Sequence, residues 1–295
     1  MINYELSELF FEFGMSNIEF EKEIVQEILQ SKYGTSILNE KVMESKNVIA
    51  KILDKICEFI DKVIMKARSF VSQFKLGYIK NSVERIRKST KEPKDMEFTL
   101  LKPKVNLLKK DAIKKISPDA IDFGVFDNGK EIGYNLDNPF LKKIRDKETK
   151  NGEYIKNTAL DFVSSDIVGA NTNNIEKVED MLKKDEIKIN KSNCRNNTGV
   201  IEAQLEEISK YMDKEFGQCI NELSKVKNDA RKFKAKTMMV QYKDSLGRNL
   251  NTEVNAVASF YQKTVNYTVQ YLFKSISFYI SCLKKNVSNF GSMLL

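Results

Sequence analysis

The sequence predicts a mainly α protein: long amphipathic helices in a bundle, a C-terminal antiparallel helical hairpin, and a small irregular or α+β middle segment. Three observations carry this expectation. Apolar residues recur at steps of three and four along two stretches of the last third of the chain, the mark of amphipathic helix rather than strand. With only 4 Pro and 12 Gly, few positions interrupt a helix. One stretch alone, near residues 121–134, carries a good β signal.

Residues 1–40 read as an acidic N-terminal segment. Within the first thirty, Glu5, Glu8, Glu12, Glu19, Glu21, Glu23 and Glu27 face the single Lys22. Leu6, Leu9, Phe10, Phe11 and Phe13 form an aromatic stretch halted near Gly14. A second short helix is predicted from Ile18 to Ser31, ahead of the break at Tyr33-Gly34-Thr35. No basic leader precedes an uninterrupted apolar core, so the segment does not read as a signal peptide. Residues 41–92 read as a long basic amphipathic helix, running from Lys41 to about Lys88. Its stripe is Val42, Ile49, Ile52, Leu53, Ile56, Ile60, Val63, Ile64, Ala67, Phe70, Val71 and Phe74, with Lys51, Lys55, Glu58, Lys62 and Lys66 on other faces. Gly77 is the point at which it is expected to kink or divide.

Residues 93–197 change character, with Pro93, Pro103 and Pro118 and the densest turn signals. Asp127-Asn128-Gly129 separates two short runs and predicts a tight hairpin, because Asn-Gly readily adopts positive φ. A short helix is expected at Asn174–Ile187, and the polar stretch Asn190–Gly199 reads as a loop. Residues 198–295 form the predicted helical hairpin. Its first stripe is Ile201, Leu205, Ile208, Met212, Phe216, Cys219, Leu223, Val226, Ala230, Phe233, Thr237 and Val240. The second is Val254, Val257, Tyr261, Val265, Thr268, Leu272, Ile276, Tyr279, Leu283, Val287 and Phe290. Each run of about 40 residues would span roughly 60 Å. The polar connection Lys243–Thr252 is short enough to fold one back on the other. Phe260, Phe273 and Phe278 lie off the second stripe's main line, so a third helix must cover them. The basic helix is the nearest candidate.

Composition limits the chemistry. Histidine is absent, which removes the commonest general base and metal ligand. Cys57, Cys194, Cys219 and Cys282 are dispersed, form no C-x-x-C pair, and read as small buried hydrophobes of a reducing compartment. No catalytic, cofactor-binding or metal residue is predicted, and no small-molecule substrate. Gly124 to Lys130 match G-x-x-x-x-G-K, yet Glu131 stands where a magnesium-binding Ser or Thr belongs, and no helix start follows. A hairpin turn explains these residues better. No run of 18 apolar residues exists, so no transmembrane helix is expected. The aromatics of Val254–Phe290, with Lys274, Lys284 and Lys285, would suit a membrane surface. Packing against another helix is the simpler account.

The net charge of +8 is unevenly spread, with an acidic start ahead of a basic body. The basic clusters comprise Arg85, Arg87 and Lys88, then Lys102–Lys104, Lys109 and Lys110, and Lys114 and Lys115. Arg85, Arg87, Lys88, Lys109, Lys110, Lys114 and Lys115 are the candidate contacts to nucleic-acid phosphates, in a salt-sensitive and sequence-independent mode. An ordinary solvated helix face explains the same residues.

The run Val48–Phe74, rich in lysine and aromatic residues, resembles a helix common in uncharacterised virion proteins of large tailed bacteriophages. There an acidic leader precedes the basic helix and further helices follow. The resemblance implies a non-enzymatic, head-associated structural or packing protein, made in the bacterial host cytoplasm and located in the virion. Its partners would be other virion proteins or further copies of itself, and DNA held non-specifically. It also implies removal of the leader by a prohead protease that cuts after an apolar-x-Glu tripeptide. Leu38-Asn39-Glu40 and Val42-Met43-Glu44 fit that pattern, placing processing after Glu40 or Glu44; Leu6-Ser7-Glu8 fits as well. A helical toxin or effector acting on membranes is the alternative reading from another functional class.

Overall fold

The computed structural model describes residues 38–74, 76–117, 132–133, 187–239, 242–243 and 251–295. These residues are mainly α. In chain order the elements are α1 (Leu38–Gln73), α2 (Leu76–Lys88), β1 (Phe98–Thr99), α3 (Lys110–Lys114), β2 (Ile132–Gly133) and β3 (Lys188–Ile189). Then come α4 (Cys194–Lys210), a π-helical turn at Tyr211–Glu215, α5 (Phe216–Met239), β4 (Tyr242–Lys243) and α6 (Asn251–Leu294). The chain forms two compact units. Of the described residues, the first takes 38–67, 110–117, 132–133, 219–239, 242–243 and 251–269; the second takes 68–74, 76–109, 187–218 and 270–295.

The expected single basic helix is two helices. The break falls before Gly77, which lies inside α2 with open space around it. Phe74 accounts for the break. Its N–H reaches only as far back as Val71 O (3.4 Å), tightening the last turn, and its buried ring meets Phe70 edge-on at 4.7 Å. Val71, placed on the apolar stripe by its sequence spacing, is instead 38% exposed. It follows Phe70 directly, and a helix turns by about 100° per residue, so it sits off the buried face.

In the first unit the core joins Ile52, Leu53, Ile56, Ile60 and Val63 of α1 to Leu223, Val226, Ala230 and Phe233 of α5. Ile113 and Ile116 of the α3 region and Tyr261, Val265 and Val269 of α6 complete it. Asp61 pairs with Lys227 (2.6 Å) and Arg231 (3.6 Å), and Asp54 pairs with Lys234 (2.5 Å). Rising numbers on α1 meet falling numbers on α5, so the two helices are antiparallel here. These pairs are partly exposed and each is worth about 1 kcal/mol at most, so they fix alignment more than they stabilise. Ile132–Gly133 pairs in parallel with Tyr242–Lys243. The rest of the predicted hairpin near 121–134 lies outside the described residues, as do residues 1–37 and 174–186.

In the second unit α4 and the start of α5 run antiparallel to the end of α6, the predicted C-terminal pairing. Phe216 meets Phe273 (5.8 Å), Glu207 meets Tyr279 and Gln204 meets Asn286. Phe70 packs edge-on against Phe273 at 4.6 Å, so the basic helix does cover a residue off the main stripe. The stretch read as a loop at Asn190–Gly199 is helical from Cys194 onward. Asn190 Oδ1 accepts the N–H groups of Ser192 and Asn193, while Asn193 Oδ1 accepts that of Asn190. These local bonds make a compact turn that launches the helix, and the polar residues beyond it occupy an outer face. Ile187, expected at the end of a helix, is extended and accepts a bond from the Leu100 N–H (3.0 Å).

α6 departs furthest from a one-sided helix. From Tyr261 to Leu283 almost every described side chain is buried, including Gln262, Thr264, Asn266, Thr268, Ser275 and Ser277. Between Val254 and Leu283 the only charges are Lys263 and Lys274, so this helix can be surrounded. Thr268 returns its hydroxyl to Thr264 O (2.8 Å) and Ser275 to Leu272 O (3.1 Å), which satisfies them within the helix.

The segment 97–109 crosses the second unit as an extended strap. β1 pairs antiparallel with β3, Phe98 opposite Ile189, and Phe98 meets Phe290 edge-on at 5.1 Å. Beyond β1 helix side chains supply several of the strap's partners. Asn286 Oδ1 accepts the Leu101 N–H (2.9 Å), and Asn286 Nδ2 donates to Leu101 O (2.8 Å) and to Gln204 Oε1 (3.0 Å). Gln204 Nε2 donates to the same Leu101 O (2.9 Å). Further along, Tyr271 Oη accepts the Asn106 N–H (3.4 Å) and Tyr211 Oη donates to Leu108 O (2.7 Å).

Truncating Asn286 would orphan the Leu101 N–H and Gln204 Oε1, each at about 1–3 kcal/mol. Asn286→Ala is therefore expected to lower unfolding free energy by about 2–5 kcal/mol in urea titrations followed by circular dichroism. Its exposed neighbour, changed as Lys285→Ala, should stay within about 0.5 kcal/mol of the parent. Equal effects of the two would contradict this account.

Candidate nucleic-acid interface

The basic run Arg85-Ile86-Arg87-Lys88 forms the last turn of α2. Ile86 is buried, which anchors the turn, while Arg85, Arg87 and Lys88 are exposed. Arg85 and Lys88 come together with Lys91, Asn81, Ser89 and Thr90 along an open groove of about 620 Å³. Ser89, Thr90 and Lys91 follow α2 directly and line the groove with it, although only Lys91 among them is charged. Arg195 ties this stretch down, donating from Nη1 to Ser89 O (2.7 Å) and from Nη2 to Lys91 O. The end of α6 holds it too: Ser89 Oγ bonds Leu294 O, Lys94 N–H bonds Met293 O (2.9 Å) and Lys91 Nζ bonds Leu295 O (2.6 Å).

Glu84 also lines this groove and pairs with Lys88 at 2.6 Å, both side chains more than half exposed. The Lys88 hydrogen bond holds the Glu84 carboxyl below its ordinary range. Such a solvated pair is weak, so an incoming phosphate can compete for Lys88. Arg87 leans to the other side, with Nε 4.0 Å from Glu202.

The remaining predicted contacts do not join this group. Lys109 lines a second groove, of about 830 Å³, beside the π-helical turn. There Lys210 and Lys214 stand with Glu207, Asp213 and Glu215, so charges balance and no field selects an anion. The wide turn itself, with the Phe216 N–H reaching Tyr211 O, brings both Tyr211 and Met212 to the buried side. Lys110 and Lys114 are exposed one turn apart on α3, with Lys115 after them, and line neither groove. Glu40 and Glu44, the predicted processing positions, lie in the first two turns of α1.

Among the described residues no group of three or more Cys, Asp or Glu could hold a metal ion. Among the described residues, burial holds several titratable groups in their uncharged forms. Burial pushes the Cys282 thiol up to about 12 from an ordinary 9.0, and raises Cys57 as well. Burial raises the Tyr271 phenol. Tyr279 is raised by burial and then by its hydrogen bond to Glu207. A thiol so raised is a poor nucleophile at neutral pH.

Above pH 9 the unfolded chain ionises these groups while the native chain keeps their protons, so stability falls as pH rises. Lys274, held low by burial, acts in the opposite sense. Urea midpoints are expected to decline from pH 9 to 11. Cys282→Ala should make that decline shallower by up to about 1.4 kcal/mol per pH unit. Parallel declines in the two proteins would contradict the assignment.

No protein-family model, curated protein or solved structure matches this chain.

Proposed function

We propose that this chain is a non-enzymatic structural or packing component of a bacteriophage virion, head-associated, that binds other virion proteins and holds DNA non-specifically. The observation that carries the non-enzymatic part is where the interior polar groups are used. Asn286, Gln204, Tyr211 and Tyr271 satisfy the backbone of the strap, and Tyr279 donates to Glu207 within the helix pairing (2.6 Å). Such groups serve to hold shape. The likeness of Val48–Phe74 to virion-protein helices supports the particle assignment, and Lys51, Lys55, Glu58 and Lys62 lie exposed along α1 with Lys66 half-buried, as the helical spacing predicts. Long helices with charged outer faces present extended surfaces to neighbouring proteins. The described residues include no helix long and apolar enough to cross a membrane.

Quantitative mass spectrometry of purified particles from an infected host tests the assignment. A constant, stoichiometric copy number per particle, retained through a density gradient, is expected. Abundance in infected cells with none in the particles would overturn it.

A further inference from the structure

We infer that the α2 face running from Tyr78 to the Lys88–Lys91 groove is a binding site for single-stranded nucleic acid, with Tyr78 as a base-stacking platform and Arg85, Lys88 and Lys91 on phosphates. The inference rests on the DNA-holding part of the proposed function and gives it a location and a strand type.

Helical spacing supplies the geometry. Tyr78, Asn81, Arg85 and Lys88 follow one another at steps of three, four and three, which places them on one face opposite the buried Ile79, Val83 and Ile86. That stripe is about 15 Å long. Its C-terminal end opens into the groove where Thr90 adds a hydroxyl and Lys91, whose exposed ammonium also holds Leu295 O, adds a third cation. Tyr78 is 73% exposed, an unusual place for a large ring, and nothing in the packing of α2 requires it there. An exposed aromatic in line with cations is the arrangement by which single strands are held: bases stack on the ring, and the backbone follows the charges.

A helix C-terminus ordinarily presents carbonyl oxygens that repel phosphate. Here the Arg195 guanidinium takes up Ser89 O and Lys91 O, which adds positive charge where the dipole is negative. The arrangement favours a single strand over a duplex because paired bases do not offer their faces to Tyr78. It favours nucleic acid over a lipid surface because Tyr78 is the one exposed large hydrophobic described on α2. A membrane-surface helix needs a continuous apolar face.

The test is fluorescence anisotropy of the full chain with a labelled thymidine 20-mer and a labelled 20-base-pair duplex, at 50 and 200 mM salt. The account expects tighter binding of the single strand, weakening steeply with salt. Tyr78→Ala should weaken single-strand binding about tenfold and leave duplex binding nearly unchanged, while Tyr78→Phe retains parental affinity. Arg85→Ala should weaken both ligands. These side chains are exposed, and circular dichroism of each variant verifies an intact fold. Single-strand affinity indifferent to both Tyr78→Ala and Arg85→Ala would overturn the site while leaving non-specific DNA binding by another face intact. No binding of either ligand at 50 mM salt would overturn the site and the DNA-holding part of the proposed function together, without touching the particle assignment. Tyr78-dependent flotation with anionic phosphatidylserine vesicles, without oligonucleotide binding, would assign the face to a lipid surface and overturn the inference.

Discussion

The second unit depends on one local solution to a general constraint, the pairing of Leu101's backbone by the side-chain amides of Asn286 and Gln204. A backbone segment taken into a helical interior brings an N–H and a carbonyl per residue, and each must find a partner. Away from their ends, helices offer none from their own backbones, whose bonds run along the helix axis. Asn286 therefore acts as a neighbouring strand would, giving and receiving at the same residue. Tyr271 accepts the Asn106 N–H and Tyr211 donates to Leu108 O, one bond each. With these bonds the strap seats Leu100 and Leu108 in the core.

Satisfying the strap from α6 has consequences for the whole helix. A helix that carries partners on several sides must be covered on several sides, and α6 is. Thr268 and Ser275 turn their hydroxyls back to the helix's own backbone, and burial keeps the Cys282 thiol and the Tyr271 and Tyr279 phenols protonated. That thiol and those phenols are thus withdrawn from solvent, while Arg85, Arg87, Lys88 and Lys91 stand exposed at the end of α2 and just beyond it. The end of α6 reaches that stretch through bonds at Met293, Leu294 and Leu295, so the same helix that orders the core also shapes the basic groove.

Much of this was legible in the sequence, and the exceptions are physical. The first C-terminal stripe from Ile201 to Phe233 is buried at every position except the half-buried Leu205. Every described member of the second stripe is buried too. Gln204 and Asn286 escaped because an apolar pattern counts buried amides as surface, although both stand on buried faces. The charge-poor run from Val254 to Leu283 did announce a surrounded helix, but a stripe search asks only which side is apolar. β1 and β3 have two residues each, too short to show alternation. At the candidate site, Arg85 and Lys88 were visible as a charge run. Lys91 was not, since it stands outside that run and lines the groove from a stretch that Arg195 ties down. Tyr78 required knowing which face of α2 is buried. Lys109, Lys110, Lys114 and Lys115 lie near one another in sequence but do not line that groove.

Hydrogen exchange of the Leu101 amide tests the central claim most directly. If Asn286 pairs this N–H inside a closed network, the amide exchanges only on global unfolding, with protection rising and falling with overall stability. Exchange of Leu101 at the rate of an unprotected amide, in a chain whose α6 core amides remain protected, would contradict the account.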